Sequence, residues 1–463
     1  MRELQKAMIE QNREKKLLEA AKAYAFEYMD SIKERRAFPS QKALEDLSVF
    51  DEKLPDKTGN AMEVVDMLHR YGSPATAAST GGRYFGFVNG SFIPVSMGAK
   101  WLADVWDQNS ATPTSCPIAS KLEEVCERWL AELLGLPMGT AAGFVSGSSI
   151  ATLCGLAAGR NELLRRNGWD VSEKGLSQSP RIKVVLGKEA HATVFKALSI
   201  LGFGKCDIIE LATDGQGRII PGEMPEFDSL TLAILQAGNV NSGAFDPIRQ
   251  ICEKAQGTGA WIHVDGAFGL WAAASNERRH LTCGIELADS WSLDGHKTLN
   301  APYDSGVIMC KDRRALASAM QASGSYLLSG ENRNGMMHTP EMSRRARSVE
   351  LWSVLKYLGK AGVADLVDGL CDRALDFAEG LKAEGFEIHN DVVFNQVVTS
   401  GKTDDETDRI LKGLESGGSV WCGSSNWKGR KVIRISVCSW NTDEEDIRRS
   451  VEAFVSARGH QSC

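Results

Sequence analysis

The sequence predicts an α/β protein with a large, mostly parallel sheet domain carrying helices on both faces, and a smaller C-terminal α+β domain. Between residues 180 and 310, short apolar runs alternate with helical stretches, the pattern that builds a parallel sheet. At 463 residues the chain is too long for one simple core. Beyond residue 344 the alternation gives way to a helix, two further strands and a closing helix.

Residues 1–77 read as an N-terminal helical arm. Charged and apolar residues alternate at helical spacing, as in Leu17-Leu-Glu-Ala-Ala-Lys-Ala-Tyr24, until Pro39-Ser40, Pro55 and Gly59 interrupt them. Such an arm has little core of its own and is expected to pack on the main body or on a second subunit. The large domain is expected over 78–328. Its first clear helix spans 117–134: Pro117 suits the first helical position and Gly135-Leu-Pro137 ends it. Ile118, Leu122, Val125, Trp129 and Leu133 share one face of that helix.

From Leu133 to Gly159 run 27 residues without a charge, enough by count to span a bilayer. Six glycines and Pro137 interrupt any continuous apolar surface, so a buried turn between structured elements is expected instead. A helix is expected from Ser148 to about Leu164. Strands follow at Ile182–Leu186, Asp207–Leu211, Leu232–Gln236, Trp261–Val264, Asp289–Leu293 and Gly306–Cys310, with helices over 190–201 and 246–256. Residues 329–343 are polar and glycine-containing, hence a loop. A helix over 341–359 leads into the small domain, 344–463, with strands at Val393–Thr399 and Val432–Val437 and a helix over Asp443–Ala457.

Composition narrows the function. A charged fraction of 24% and a hydrophobic fraction of 43% are those of an ordinary globular protein. A net charge of −7 points away from nucleic acid or an anionic membrane as the main partner. The 11 cysteines are scattered without CxxC spacing, which argues against a zinc ribbon or thioredoxin chemistry and fits reduced thiols. No metal site and no signal-peptide pattern are visible, so the expectation is a cytoplasmic protein. GxGxxG, HExxH and GxSxG are absent. Gly401-Lys-Thr403 imitates the end of a P-loop, but Gln396 stands where its first glycine belongs.

Two residues carry chemistry. Asp265 closes the apolar run Trp261-Ile-His-Val264, and Lys297 follows His296 just beyond another, 32 residues later. Pyridoxal phosphate chemistry needs this pairing: the lysine forms an imine with the cofactor aldehyde, and the acid keeps a proton on the ring nitrogen. Taken alone, Lys297 reads as a surface lysine in a turn, and Asp265 equally as a helix cap. Their placement at strand ends of an α/β sheet, where ligands bind, and the small Gly266 and Ala267 beside the acid favour the cofactor. His191, at a third strand end, either caps a helix or stacks on a ring. Ser148 and Ser149 either cap their helix or hold a phosphate at its N-terminus.

In order, the chain carries Gly82-Arg-Tyr-Phe-Gly-Phe87, Leu122-Glu-Glu-Val125, Leu133-Leu-Gly-Leu-Pro137, Gly147-Ser-Ser149, His191-Ala-Thr-Val-Phe-Lys-Ala197 and His263-Val-Asp-Gly-Ala267. Ala288-Asp-Ser290, His296-Lys297, Ser343-Arg-Arg-Ala-Arg-Ser348 and Arg434-Ile-Ser-Val-Cys438 follow. With this ordered set the chain resembles the group II pyridoxal-phosphate amino acid decarboxylases, the fold-type-I (aspartate aminotransferase-like) family of aromatic amino acid, glutamate and tyrosine decarboxylases. The resemblance implies pyridoxal 5′-phosphate as cofactor, with Lys297 bonded to it, Asp265 on its ring nitrogen and His191 stacked on the ring. It implies Ser148, Ser149 and His296 at the phosphate and Ala267 beneath the ring. Arg434 would meet the substrate carboxylate, and Phe87, Val88, Trp106 and Gln108 would line the side-chain pocket. A homodimer with its site at the interface, acting on a small amino acid, is implied as well.

One departure bears on the reaction. Many family members carry a tyrosine on the mobile loop that returns the proton to Cα, and residues 329–343 contain none. His338 is the nearest donor in that loop, and Tyr326 lies just before it. The expected reaction is decarboxylation of an L-amino acid to its amine. Its alternatives are aldehyde formation, transamination or C–C cleavage at the same site, and a non-catalytic binding protein.

Overall fold

A computed structural model describes residues 1–320 and 334–459 of the chain. The arm begins with α1 (Glu3–Glu14) and α2 (Lys16–Ser31), followed by α3 (Gln41–Asp46) and α4 (Ala61–Met67). Ser40 and Asn60 cap the last two, their side chains accepting the Ala43 and Met62 N–H groups. Then come α5 (Pro94–Trp106) and α6 (Pro117–Leu133), each with proline in its first turn, where the missing N–H costs nothing.

The central sheet is made of β1 (Ala141–Val145), β2 (Lys183–Gly187), β3 (Ile208–Leu211), β4 (Thr231–Gln236), β5 (Trp261–Asp265), β6 (Ser290–Asp294) and β7 (Gly306–Cys310). Their order is β1-β7-β6-β5-β4-β2-β3, with β7 antiparallel to both neighbours and the pairs from β6 to β3 parallel. The intervening helices are α7 (Ser148–Arg166), α8 (Val171–Lys174), α9 (Ala192–Ile200), α10 (Ile248–Ala255) and α11 (Arg313–Met320). A mostly parallel sheet with helices is thus the observed class, as the alternation predicts.

Side chains alternate across the sheet and fill two cores. On one face Val184, Leu186, Leu232, Ile234 and Trp261 pack against Ala151, Cys154 and Ala158 of α7 and against Val194 and Leu198 of α9. On the other, Ile262, Val264, Trp291, Leu293 and Met309 meet α10 and the start of α12 (Ser348–Ala383). The second half of α12 joins the core of a four-stranded antiparallel sheet, β10-β11-β9-β8. Its strands are β8 (Glu387–Ile388), β9 (Gln396–Ser400), β10 (Gly423–Trp427) and β11 (Arg430–Ser436), backed by α13 (Asp404–Gly417) and α14 (Glu444–Gly459). This is the small C-terminal α+β unit. Phe85, far upstream, also lies in its core.

Three expectations are corrected. The uncharged stretch 133–159 is not a turn: it holds β1, all five residues buried, and the first half of α7. Its glycines let α7 lie close on the sheet, because a Cβ at Gly155 would come within 2.7 Å of the His263 ring, and one at Gly159 within 2.7 Å of Trp261. The buried face of α6 is rotated from the one predicted. Ile118 is exposed, whereas Glu123 and Glu127 face inward with Leu122, Cys126 and Leu130. Burial of these carboxylates is offset by pairing: Glu123 meets Arg344 at 2.7 Å, and Glu127 takes the Ala142 N–H at 2.7 Å and pairs with Arg313.

Finally, α12 starts at Ser348 rather than 341. The preceding Arg344, Arg345 and Arg347 are tied by ion pairs to Glu123, Asp304 and Glu350. The P-loop imitation is the cap of α13, with Thr403 Oγ1 accepting the Glu406 N–H at 3.2 Å. Among the described residues, no helix is long and apolar enough to cross a membrane, and no cluster of His, Cys, Asp or Glu could hold a metal ion.

Candidate active site

Sheet register brings the first site residues side by side. Gln236, the last residue of β4, pairs with Asp265, the last of β5, which pairs with Ser292 of β6. Because side chains alternate, His263 and Asp265 share a face with Ser290, Ser292 and Asp294, under α7. These C-terminal strand ends, the loop after β2 and the start of α7 enclose a cavity of about 250 Å³. Its lining includes Ser148, Ser149, His191, Asp265, Lys297 and Arg434. Phe87, Val88 and Ala267 complete the part predicted from sequence.

Lys297 sits three residues past β6 on a loop pinned from several sides. Gly295 and His296 N–H groups both donate to the Ser305 carbonyl, and the Gly90 N–H donates to the His296 carbonyl at 3.2 Å. A Cβ at Gly90 would come within 2.2 Å of the Lys297 carbonyl oxygen, so only glycine admits this approach. Asn300 closes the loop. It is fully buried at φ 55, the left-handed conformation that asparagine tolerates best after glycine. Its Oδ1 accepts the Ser91 and Trp440 N–H groups, and its Nδ2 donates to the Thr298 and Cys438 carbonyls. The amine is thereby held over the cavity, with Lys297 Nζ 3.0 Å from Asp294 Oδ2.

Asp265 is buried, with Oδ1 3.3 Å from the Ala267 N–H and 3.5 Å from Ser292 Oγ. Burial pushes its carboxyl above the usual range, while His191 and Lys297 pull the other way. Behind it stands a neutral polar chain. Thr152 Oγ1 donates to Ser292 Oγ at 2.9 Å, and His263 contacts Ser292 Oγ at 3.4 Å and Ser290 Oγ at 2.8 Å. Full burial pulls His263 down to about 3, so its ring is neutral.

His191 caps α9, its Nδ1 accepting the Thr193 N–H at 3.3 Å and lying 2.7 Å from Thr193 Oγ1, and its side chain also lines the cavity. Although the residue keeps solvent-accessible surface, the surrounding protein lowers its pKa, an effect that Lys297 and Arg434 reinforce. Arg434 projects from β11, and burial lowers its pKa too. Its Nε is buried with no hydrogen-bond partner among the described residues.

The remaining predicted residues fall in three places. His296 stands beside the lining rather than in it. Its ring stacks on Tyr303 at 4.2 Å and accepts the Ser305 N–H at 3.1 Å. Trp106 is exposed at the end of α5, Gln108 is half-buried just past it, and neither lines the cavity within this chain. His338 is buried away from it, with Nε2 3.3 Å from Arg313 Nη1 and its carbonyl lying where a Cβ at Gly143 would be. Tyr326 lies outside the described residues.

Sequence reasoning missed Asp294, Asn300 and Gln236. Asp294 is buried, with Oδ1 2.5 Å from the Ser148 N–H, Oδ2 2.7 Å from Ser148 Oγ and 3.6 Å from His296 Nε2. Its position three residues before the lysine was the available signal. Phe87 and Val88 adopt φ values of 52 and 57, a strained conformation for side-chain-bearing residues and above all for a β-branched valine. The Gly90–His296 contact on one side and the Phe85–Trp421 and Phe85–Ser436 backbone bonds on the other hold it.

Comparison with known proteins shows the family. The pyridoxal-dependent decarboxylase conserved domain matches residues 45–402. The chain is 28% identical over 325 residues to the acidic amino acid decarboxylase GADL1 of Mus musculus, covering 66% of this chain and 58% of that protein. It is 30% identical over 268 residues to the aspartate 1-decarboxylase of Aliivibrio fischeri, covering 53% and 48% respectively. The matches thus span about half the length of these relatives. In fold, the chain is similar to the crystal structure of Oryza sativa TDC with PLP and tryptamine, with a TM-score of 0.87, 21% identity and coverage of 97% and 98%.

Proposed function

The chain belongs to the pyridoxal-dependent decarboxylase family, and on that premise we propose that it removes the α-carboxyl group of an L-amino acid, releasing carbon dioxide and an amine. The observation that carries this is the meeting of Lys297, Asp265 and Arg434 in one cavity. The donor set fits pyridoxal 5′-phosphate: an amine for its aldehyde, a buried acid for its ring nitrogen, and the N-terminus of α7 for its phosphate. When bound, the cofactor supplies the electron sink that accepts the pair left on Cα as carbon dioxide departs.

Lys297 would hold the cofactor between turnovers and, once the substrate amine replaces it, move a proton with Nζ. Asp265 would hold a proton on the ring nitrogen by charge attraction in a site where water is scarce. His191, neutral, would cover one ring face. Ser148 and Ser149 would hold the phosphate, with His296 supporting the turn that carries Lys297, and Ala267 would leave room beneath the ring. Arg434 would orient the substrate carboxylate by a charge-assisted bond, and Phe87 and Val88 would border the substrate side chain. The proton that replaces carbon dioxide on Cα would come from Lys297, the amine that lines the cavity.

A second fate for the same site, release of a carbonyl product or transamination, is favoured by the absence of tyrosine from 329–343. A homodimer is supported by the bare apolar surface of the arm and α5, where Leu4, Met8, Ile9, Leu18, Val105 and Trp106 are exposed. The ten cysteines among the described residues are all free, in keeping with a cytoplasmic location. The test is a screen of L-amino acids in which amine, carbonyl and carbon dioxide are quantified together. Equal amine and carbon dioxide from at least one substrate is the expected result. Carbonyl in place of amine would establish the second fate, and no turnover of any substrate would overturn both.

A further inference from the structure

Asp294 stands behind the cavity lining, against Ser148 and Lys297, and the proposed chemistry gives it no task. Its buried carboxylate already takes the Ser148 N–H at 2.5 Å and the Ser148 hydroxyl at 2.7 Å, and lies 3.0 Å from Lys297 Nζ. Those are the donors at the N-terminus of α7 that an incoming phosphate would seek. Two anions cannot share one helix terminus without repulsion, and repulsion is strong where water is excluded.

We propose that Asp294 is an internal stand-in for the cofactor phosphate. Its carboxylate meets the first turn of α7 and lies against Lys297 Nζ. An incoming phosphate would have to displace the carboxylate from those bonds, so Asp294 weakens binding of the phosphorylated aldehyde in particular. Asp294 is on this account a positioning residue that sets how strongly the protein prefers pyridoxal 5′-phosphate over pyridoxal. The inference rests on the cofactor assignment made above.

Its effects on stability and on binding have opposite signs, which a merely structural aspartate would not show. Asp294→Asn keeps the shape and one acceptor but removes the charge, and Asp294→Ala removes the anion without adding a donor. Cofactor-free wild type and both variants are titrated with pyridoxal 5′-phosphate and with pyridoxal, and melted without either. The ratio of the pyridoxal Kd to the pyridoxal 5′-phosphate Kd is expected to rise about tenfold or more in each variant, the scale of one unscreened like-charge contact. The melting temperature of the cofactor-free variants is expected to fall.

Borohydride reduction of each complex and peptide mapping accompany the titrations. A ratio that is unchanged or lower, with Lys297 still labelled, overturns the role of Asp294 alone. Wild type that is labelled at Lys297 by neither aldehyde overturns this inference together with the cofactor assignment beneath it.

Discussion

His263 stands two residues before Asp265 on β5, fully buried, its Nδ1 2.8 Å from Ser290 Oγ and no carboxylate near enough to favour its charge. Burial takes its pKa from an ordinary 6.5 to about 3. A histidine whose folded pKa is depressed favours the fold fully above the unfolded value. That contribution is lost as pH falls from 6.5 toward 3, because the unfolded chain takes up the proton first. At pH 5 the unfolded imidazole is almost wholly protonated and the folded one is not, which costs the fold about 2 kcal/mol relative to pH 7. His263→Asn is neutral at both values and keeps a polar group for Ser290. Urea unfolding, followed by the fluorescence of the buried Trp261, Trp271 and Trp291, gives the stability of wild type and variant at pH 7 and pH 5. The gap between them should narrow by about 2 kcal/mol on acidification. A gap that stays constant would mean that His263 is not held neutral, and the account of the polar chain behind Asp265 would fail.

Asp265→Asn keeps the size of the side chain but loses the charge at the ring nitrogen. Cofactor should still bind while kcat falls roughly 10²-fold or more in a cofactor-saturated assay, and near-wild-type turnover would reduce Asp265 to a cap. Arg434→Gln removes a charge-assisted bond to the substrate carboxylate. It should lower kcat/KM by about ten- to a hundredfold, mostly through KM, with no change in cofactor absorbance. Gly155→Ala would place a methyl group 2.7 Å from the His263 ring, so a loss of about 1–3 kcal/mol is expected despite the helix propensity of alanine. A melting temperature equal to or above wild type would show that α7 does not lie this close to β5.

Much of the fold is legible because each central strand is a short apolar run between turn residues. Gly306–Cys310 is found at the predicted limits, and the other central strands within one residue or so. β1 is the exception. Ala141-Ala-Gly-Phe-Val145 has little β-branched character, and it becomes a strand because β7 pairs with it along its whole length. The face of α6 was misjudged for a related reason: nothing local reveals that Glu123 and Glu127 have buried arginine and backbone partners. The meeting of Lys297 and Asp265 at one cavity is legible because both stand at strand ends beside small residues, which sequence displays. Asp294 and Asn300 owe their positions to contacts with residues about 140 to 210 places away, which spacing does not encode. His338 looks like a solvated loop residue from its polar neighbours. A short helical turn at Gly335–Met337 and packing against β1 bury it instead.

The central claim is that Lys297 and Asp265 serve one bound pyridoxal 5′-phosphate, and reductive trapping tests it most directly. The purified protein, loaded with cofactor, is reduced with borohydride, digested and mapped by mass spectrometry, alongside Lys297→Ala. The account predicts loss of the visible absorbance and a phosphopyridoxyl group on Lys297, with none on any lysine of the variant. A label on another lysine, or a wild type that takes up no cofactor, would contradict it.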